Sequence, residues 1–297
     1  MTSLAVALVL CSAAMHAGWN LLGKGQAPSL AFFTLALFSG GLIFAPSLFW
    51  QPDYVALPAL FWWWLLLSGF FQAIYLAGLA WAYARGAVSV LYPLARALPV
   101  LLVPLVGWLL LEAVFLVARQ WVALVMIVLA SLLLPFVRLK DIRLRHYWTP
   151  ALGFALLAAL GTTGYTLVDQ RAMQLMNQQL GQPVVSSVHY MVLQAWFSLL
   201  WMLPVVWWMP SEKRALSQLW GGQKRGFITA GVLVLGTYGF VLLAMTMTDQ
   251  VSMIVALRQA SIPLGALGGM MLFKESLSPL KLAALVLMTS GLIVMTF

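Results

Sequence analysis

A chain of 297 residues that is 63% hydrophobic and only 8% charged lacks the polar surface of a soluble domain, which carries roughly 25% charged residues. Its apolar residues come in blocks of about 20, long enough to cross a bilayer as helices, so the composition points to an integral membrane protein with little outside the lipid. The net charge of +9 would suggest nucleic acid as a partner in a soluble protein; here most basic residues fall in short loops, where they set membrane orientation, and no nucleic-acid partner is expected.

Ten spans are predicted in chain order, near 2–23, 29–50, 58–84, 87–111, 117–137, 149–174, 185–209, 227–248, 251–273 and 279–297. The first is read as a retained helix: no positive segment precedes it, and Leu10 is too large for a lipoprotein cleavage site at Cys11. Cys11 is the single cysteine, which excludes an intrachain disulfide and a multi-cysteine metal site. The segment PSEKRALSQLWGGQKRG (210–226) reads as a loop after the seventh span. Another loop, RLKDIRLRHYW, divides five spans from five. A shift of 163 residues superposes spans three and four on eight and nine without gaps, matching Tyr75 with Tyr238, Ser89 with Ser252 and Glu112 with Glu275. The predicted fold is therefore an all-α integral membrane protein with ten transmembrane helices as two five-helix repeats, at 1–137 and 149–297, joined by a basic linker at 138–148. An odd number of spans per repeat makes the halves inverted, a recurrent design of secondary transporters.

Loops after odd-numbered spans hold Lys24, Arg85, Arg138, Lys140, Arg143, Arg145, Lys213, Arg214, Lys224, Arg225, Lys274 and Lys281; the other side holds only Arg119 and Arg171. The positive-inside rule then places both termini outside the cytoplasm and the 5–6 and 7–8 loops within it.

The two remaining cations, Arg96 and Arg258, lie deep in spans four and nine. An arginine at the centre of a membrane helix costs about 2.5–3.5 kcal/mol and is functional by default. The candidate carboxylates Asp53, Glu112, Asp169, Asp249 and Glu275 fall near span ends on this reading. Two deep cations without deep anions suggest a site for a carboxylate or phosphonate; alternatively, each arginine bonds carbonyls freed by Pro93, Pro99, Pro104 or Pro263. His16 and Asn20 share a face of the first span with Trp19 beside them, and face either the same cavity or a neighbouring helix. His16 and His189 are the candidates for proton coupling, because an unperturbed histidine titrates near pH 6.5. Tyr75, Tyr92, Tyr165, Tyr238 and Gln259 are expected to line or complete the site, and Gln72, Tyr190 and Gln194 are also deep. Trp62, Trp63, Trp64, Trp207 and Trp208 read as interfacial anchors. Ser261, Gly265 and Gly269 form a row of small residues for close helix packing, inside the monomer or at a homodimer interface. No HExxH, GxSxG or Walker motif appears, so no enzyme, metal or cofactor is expected.

The segment LFKESLSPLKLAALVLMTSGLIVM (272–295) resembles the LGExLTxxQxxGxxLIxxG ending of EamA-type repeats in the drug/metabolite transporter superfamily, with Glu275 as the motif glutamate. Its first-half counterpart, LLLEAVFLVARQWVALVMIVLAS (109–131), carries Glu112 but lacks the glycine before it and the Thr or Ser after it. HAGWN at 16–20 resembles the HAxWN start of one EamA-like subgroup. The resemblance implies alternating access around a central cavity built from the first four helices of each half. It implies a bacterial inner-membrane transporter of a small-molecule metabolite. With the arginines, that metabolite is expected to be polar and to carry a carboxylate or phosphonate. The alternatives are an exporter of amino acids or drugs with structural arginines, and a non-transporting assembly partner or lipid-modifying enzyme.

Overall fold

In hydrocarbon a backbone amide has no partner except another backbone group, so apolar segments of this length must be helical. The computed structural model describes residues 1–22, 29–85, 88–111, 116–141, 150–222, 224–273 and 278–296, and among them there is helix and no strand. The helices are α1 (Ser3–Leu22), α2 (Leu30–Phe44), α3 (Ala59–Tyr83), α4 (Val88–Leu111), α5 (Ala118–Leu133), α6 (Pro150–Leu180), α7 (Pro183–Trp208), α8 (Pro210–Gly222), α9 (Lys224–Met245), α10 (Val251–Leu257), α11 (Ser261–Phe273) and α12 (Pro279–Thr296). Among the described residues, seven runs are long and apolar enough to cross a membrane: 30–49, 59–83, 150–180, 183–208, 224–245, 251–268 and 279–296. Shorter apolar stretches lie at 3–18, 95–109 and 118–133. The protein is an all-α, multi-pass membrane protein.

Three elements depart from the sequence-based expectation. The sixth helix continues past 174 to Leu180, because Met, Gln and Leu are good helix formers whatever their hydropathy. It stops at Gly181, whose φ of +64° suits the left-handed turn and whose N–H bonds Asn177 O at 2.8 Å. The expected 210–226 loop contains α8, opened by Pro210 in the first turn. Hydropathy missed α8 because it is polar overall; only its one apolar side packs on the core, through Ala215, Leu216 and Leu219. Finally, the ninth span is broken. A 3-10 turn at Arg258–Ala260 separates α10 from α11. Pro263 accounts for it: proline has no N–H for the Gln259 carbonyl, and its ring crowds that carbonyl. By contrast, α4 runs as one helix through Pro93, Pro99 and Pro104.

The helices pair in a regular scheme. α3 lies along α6 and α7, while α9 lies along α1 and α2. α4 packs on α6, and α11 on α1. α2 meets α7, and α5 meets α12. Trp63, Trp207 and Trp208 are 65–80% exposed near helix ends, as lipid-facing anchors are; Trp62 and Trp64 are only partly so.

Candidate substrate cavity

The cavity begins at the crossing of α3 and α6. Gly78 faces Ala158 and Gly161 faces Tyr75 with no room for a side chain between the backbones, so the two helices touch main chain to main chain. This approach sets Tyr75 beside Tyr165, ring centroids 5.8 Å apart. Tyr238 on α9 meets Tyr165 edge to face at 5.9 Å. The three rings form one wall of the larger of two adjoining hollows, and Tyr75 and Tyr165 border the smaller as well. The larger, of about 80 Å³, is bounded by His16, Gln72, Gln194, Thr237 and Arg258 together with apolar residues of α2, α3, α7 and α9. That is room for several waters or one small solute, at about 10–15 Å³ per water by this kind of measure. A smaller hollow of about 30 Å³ adjoins it; Tyr75, Tyr165 and Arg258 border both, and Arg96 and Gln259 border only the second.

The two arginines are held differently. The Arg96 guanidinium donates from Nε to Gln259 Oε1 (3.2 Å) and from Nη2 to the Arg258 carbonyl (3.0 Å), and its Nη1 lies 2.7 Å from His16 Nε2. Gln259 returns a bond from Nε2 to the Arg96 carbonyl at 3.3 Å. Arg96 therefore clamps the broken helix α10–α11 to α4 and α1. Ser261 Oγ donates to the same Arg258 carbonyl at 3.0 Å. Arg258 itself points to the tyrosine wall. Tyr165 is its hydrogen-bond partner, and its Cζ lies 6.0 Å from the Tyr238 ring centroid. Among the described residues, no carboxylate stands in ion-pair contact with it.

A deep anion is nevertheless present, which corrects the expectation that the carboxylates cluster near span ends. Asp169 is fully buried well inside α6, whose C-terminal end lies further on than hydropathy suggested. Its Oδ1 accepts from Ser68 Oγ and, at 2.6 Å, from Tyr190 OH. Its Oδ2 accepts from Tyr238 OH and, at 2.9 Å, from Gln194 Nε2. Four donors fill the acceptor sites of a carboxylate with no cation in contact among the described residues. Tyr238 and Gln194 touch Asp169 and border the larger hollow at once.

Of the expected site residues, His16, Tyr75, Tyr165, Tyr238 and Arg258 meet around the larger hollow, and Arg96 and Gln259 at the smaller one. The side chains of Asn20 and Tyr92 lie outside the described residues, as do Glu112, Glu275 and the surroundings of Gly269. His189 is not on the cavity wall: its Nε2 bonds Ser47 O at 2.8 Å and its ring meets Tyr54, so it ties α7 to the turn after α2. Gly265 faces Ala17 of α1, which places this part of the small-residue row inside the monomer. Asp169 and Ser68 are the residues that sequence reasoning missed. The available signal was an acid directly after Leu167 and Val168, with Tyr190 and Gln194 sharing one face of the next helix.

No family model matches the chain, and no curated protein matches its sequence. Among solved structures 27 chains match. One of them, described only as a crystal structure of protein, is similar over 100% of this chain and 97% of its own, with a TM-score of 0.68 and 17% identity. At that identity the likeness establishes a shared fold and leaves function to be argued from the site.

Proposed function

We propose that the protein is a secondary active transporter, carrying a small polar metabolite with a carboxylate or phosphonate group by alternating access. The observation that carries this reading is Arg258: a guanidinium on the wall of a buried hollow, with hydroxyl and π partners and, among the described residues, no carboxylate in contact. A cation that costs about 2.5–3.5 kcal/mol to place at membrane depth is best explained by a ligand that needs it. Arg96, engaged by His16, Gln259 and a main-chain carbonyl, acts as the positioning residue for the turn that carries Arg258. Asp169 supplies an internal countercharge at one remove, so the anion reading rests on Arg258 rather than on two unopposed arginines.

The proposed architecture is ten spans in two inverted five-helix repeats, in the manner of the drug/metabolite transporter superfamily that the end motifs resemble. The helix pairing supports it: exchanging α1–α5 for α6, α7, α9, α10–α11 and α12 maps each main contact onto another. Arg96 and Gln259, separated by the same 163 residues as the superposed repeats, bond each other. Equivalent positions that touch lie on the axis relating the halves. We place the protein in a bacterial inner membrane with both termini outside.

The test is anion binding by the purified protein and by Arg258→Gln and Arg96→Gln, with acetate and methylphosphonate as probes. The expected result is loss of binding in Arg258→Gln, with weakened binding and lower stability in Arg96→Gln. Unchanged affinity in Arg258→Gln refutes the reading.

A further inference from the structure

The function proposed above uses Arg258 and leaves Asp169 unexplained. A carboxylate kept only to hold helices together gains most from a cation in contact, because neutral donors leave its charge uncompensated in hydrocarbon. Asp169 instead sits among Ser68, Tyr190, Tyr238 and Gln194. Three of these are hydroxyls, and a hydroxyl both donates and accepts. The cage can therefore hold the ionised carboxylate with every hydroxyl donating, or the protonated acid with one hydroxyl turned round to accept, without moving a helix. No bonded cation is left stranded when the negative charge disappears.

The groups that face this site from the surrounding helices complete the picture. α3 contributes Ser68 and Tyr75, α6 itself Tyr165, α7 Tyr190 and Gln194, and α9 Tyr238. Arg258 reaches Asp169 electrostatically across Tyr238, while Arg96 and His16 engage each other beyond it. The Tyr238 hydroxyl joins the carboxylate to the cavity wall. An anion docked on Arg258 brings a second negative charge towards an ionised Asp169 in a medium that screens poorly. Protonating Asp169 removes that repulsion, and binding linkage makes the effect reciprocal.

We propose that Asp169 is the proton-binding site of the transport cycle and that it takes up its proton together with the anionic ligand, making the protein a proton–anion symporter. The proton enters as hydronium in the cavity: the Tyr238 O–H bond breaks as its proton passes to the carboxylate oxygen, a new O–H bond forms on Tyr238 from the hydronium, and neutral water is left behind. The Asp169 side chain passes from one negative charge to none. The cage draws on α3 of one half and α6, α7 and α9 of the other, so its state is felt at the contact between the halves. This inference rests on the anion reading of Arg258.

The experiment is infrared difference spectroscopy of the full-length protein in lipid, stepped through pH, with and without methanesulfonate, a permanent monoanion. As pH falls, wild type is expected to gain a protonated-carboxyl band that Asp169→Asn lacks. At fixed pH methanesulfonate increases that band in wild type and leaves Arg258→Gln unchanged. Methanesulfonate affinity in wild type weakens by about tenfold per pH unit on the alkaline side, as one linked proton requires, and is flat in Asp169→Asn. Identical spectra for wild type and Asp169→Asn overturn the proposal. So does a band indifferent to methanesulfonate in protein shown by calorimetry to bind it. Should Asp169→Asn fail to fold, Ser68→Ala removes one cage member and must displace the midpoint of the band; an unmoved midpoint overturns the proposal equally. If methanesulfonate, methylphosphonate and acetate all fail to bind wild type, the anion reading falls and the symport proposal with it, while the titration alone still reports whether Asp169 takes a proton.

Discussion

Replacing Gly161 by alanine tests the contact that forms the cavity. A Cβ built there would lie 2.5 Å from Tyr75 N and 2.8 Å from Phe71 O, where ordinary contact begins near 3.4 Å. Both neighbours are main-chain atoms of α3, so no side chain can yield and the helices must part. Overpacking of this kind costs about 1–3 kcal/mol, offset by the roughly 0.5–1 kcal/mol by which alanine favours a helix over glycine. The net expectation is a loss of about 0–2.5 kcal/mol, centred near 1 kcal/mol, read by unfolding in a graded SDS–detergent mixture. Gly153, on the same helix, has nothing within 4 Å of its would-be Cβ. Gly153→Ala should therefore stabilise by about 0.5–1 kcal/mol, the opposite sign for the same chemical change. Because Tyr75 is one of the atoms displaced, Gly161→Ala should also weaken anion binding, and Gly153→Ala should not. Equal stability of the two variants would falsify the close approach of α3 and α6.

Three further outcomes follow from other contacts. Glu212 on α8 accepts the Ala31 N–H at 2.9 Å while Ser29 Oγ accepts the Phe32 N–H at 3.2 Å, so a neighbouring helix completes the N-terminal cap of α2. Glu212→Ala should cost about 1–2 kcal/mol in the same unfolding assay, and wild-type stability would count against the cap. Cys11 is exposed on α1 and is the single cysteine, so it should resist a charged maleimide in intact membranes and react once detergent admits the reagent. Rapid labelling in membranes would contradict burial of α1 in lipid. Alkaline phosphatase fused after Phe297 should be active, as it is only outside the cytoplasm; an inactive fusion reverses the orientation and leaves the fold standing.

What the sequence disclosed divides along physical lines. Hydropathy placed α3 and α12 within a residue or two, because lipid exposure demands continuous apolar runs there, and it read α10 and α11 as one span because a 3-10 turn does not interrupt the apolar run. It missed α8, which lies beyond the apolar runs, and cut α6 short, so that Asp169 seemed to stand near a membrane surface. Arginine depth is legible because no other explanation of a mid-span charge is inexpensive. Tyr75 and Tyr238 stood out by matching across the 163-residue shift. His189 misled because helical periodicity gives a face without naming the neighbour. It turns to the Ser47 carbonyl, away from the cavity, and only packing between α7 and the turn after α2 determines that. The division of labour between Arg96 and Arg258 was equally invisible, since it depends on a helix break whose cause, Pro263, is local but whose consequence is across the molecule.

The proposed repeat makes one asymmetry informative. A site on a two-fold axis sees the same backbone from both halves, yet a metabolite is not two-fold symmetric, so the halves must differ in charge. Tyr75 and Tyr238 stand at equivalent positions and both border the hollow. The equivalent of Arg258 is position 95, which is alanine, 4% exposed and bordering the smaller hollow. Arg258 and Asp169 both come from the second half; around the larger hollow the first contributes His16, Gln72 and Tyr75, with its own arginine, Arg96, at the smaller hollow. If the axis passes through the site, an arginine at position 95 should reach the cavity from the opposite side. Ala95→Arg in an Arg258→Ala background is then expected to recover part of the anion affinity, limited by the small hollow it must enter. Val100→Arg, on the same helix but fully buried away from either hollow, should recover none. Equal behaviour of the two double variants, measured by methanesulfonate calorimetry, would show that the arginine's place is set by something other than the relation between the halves.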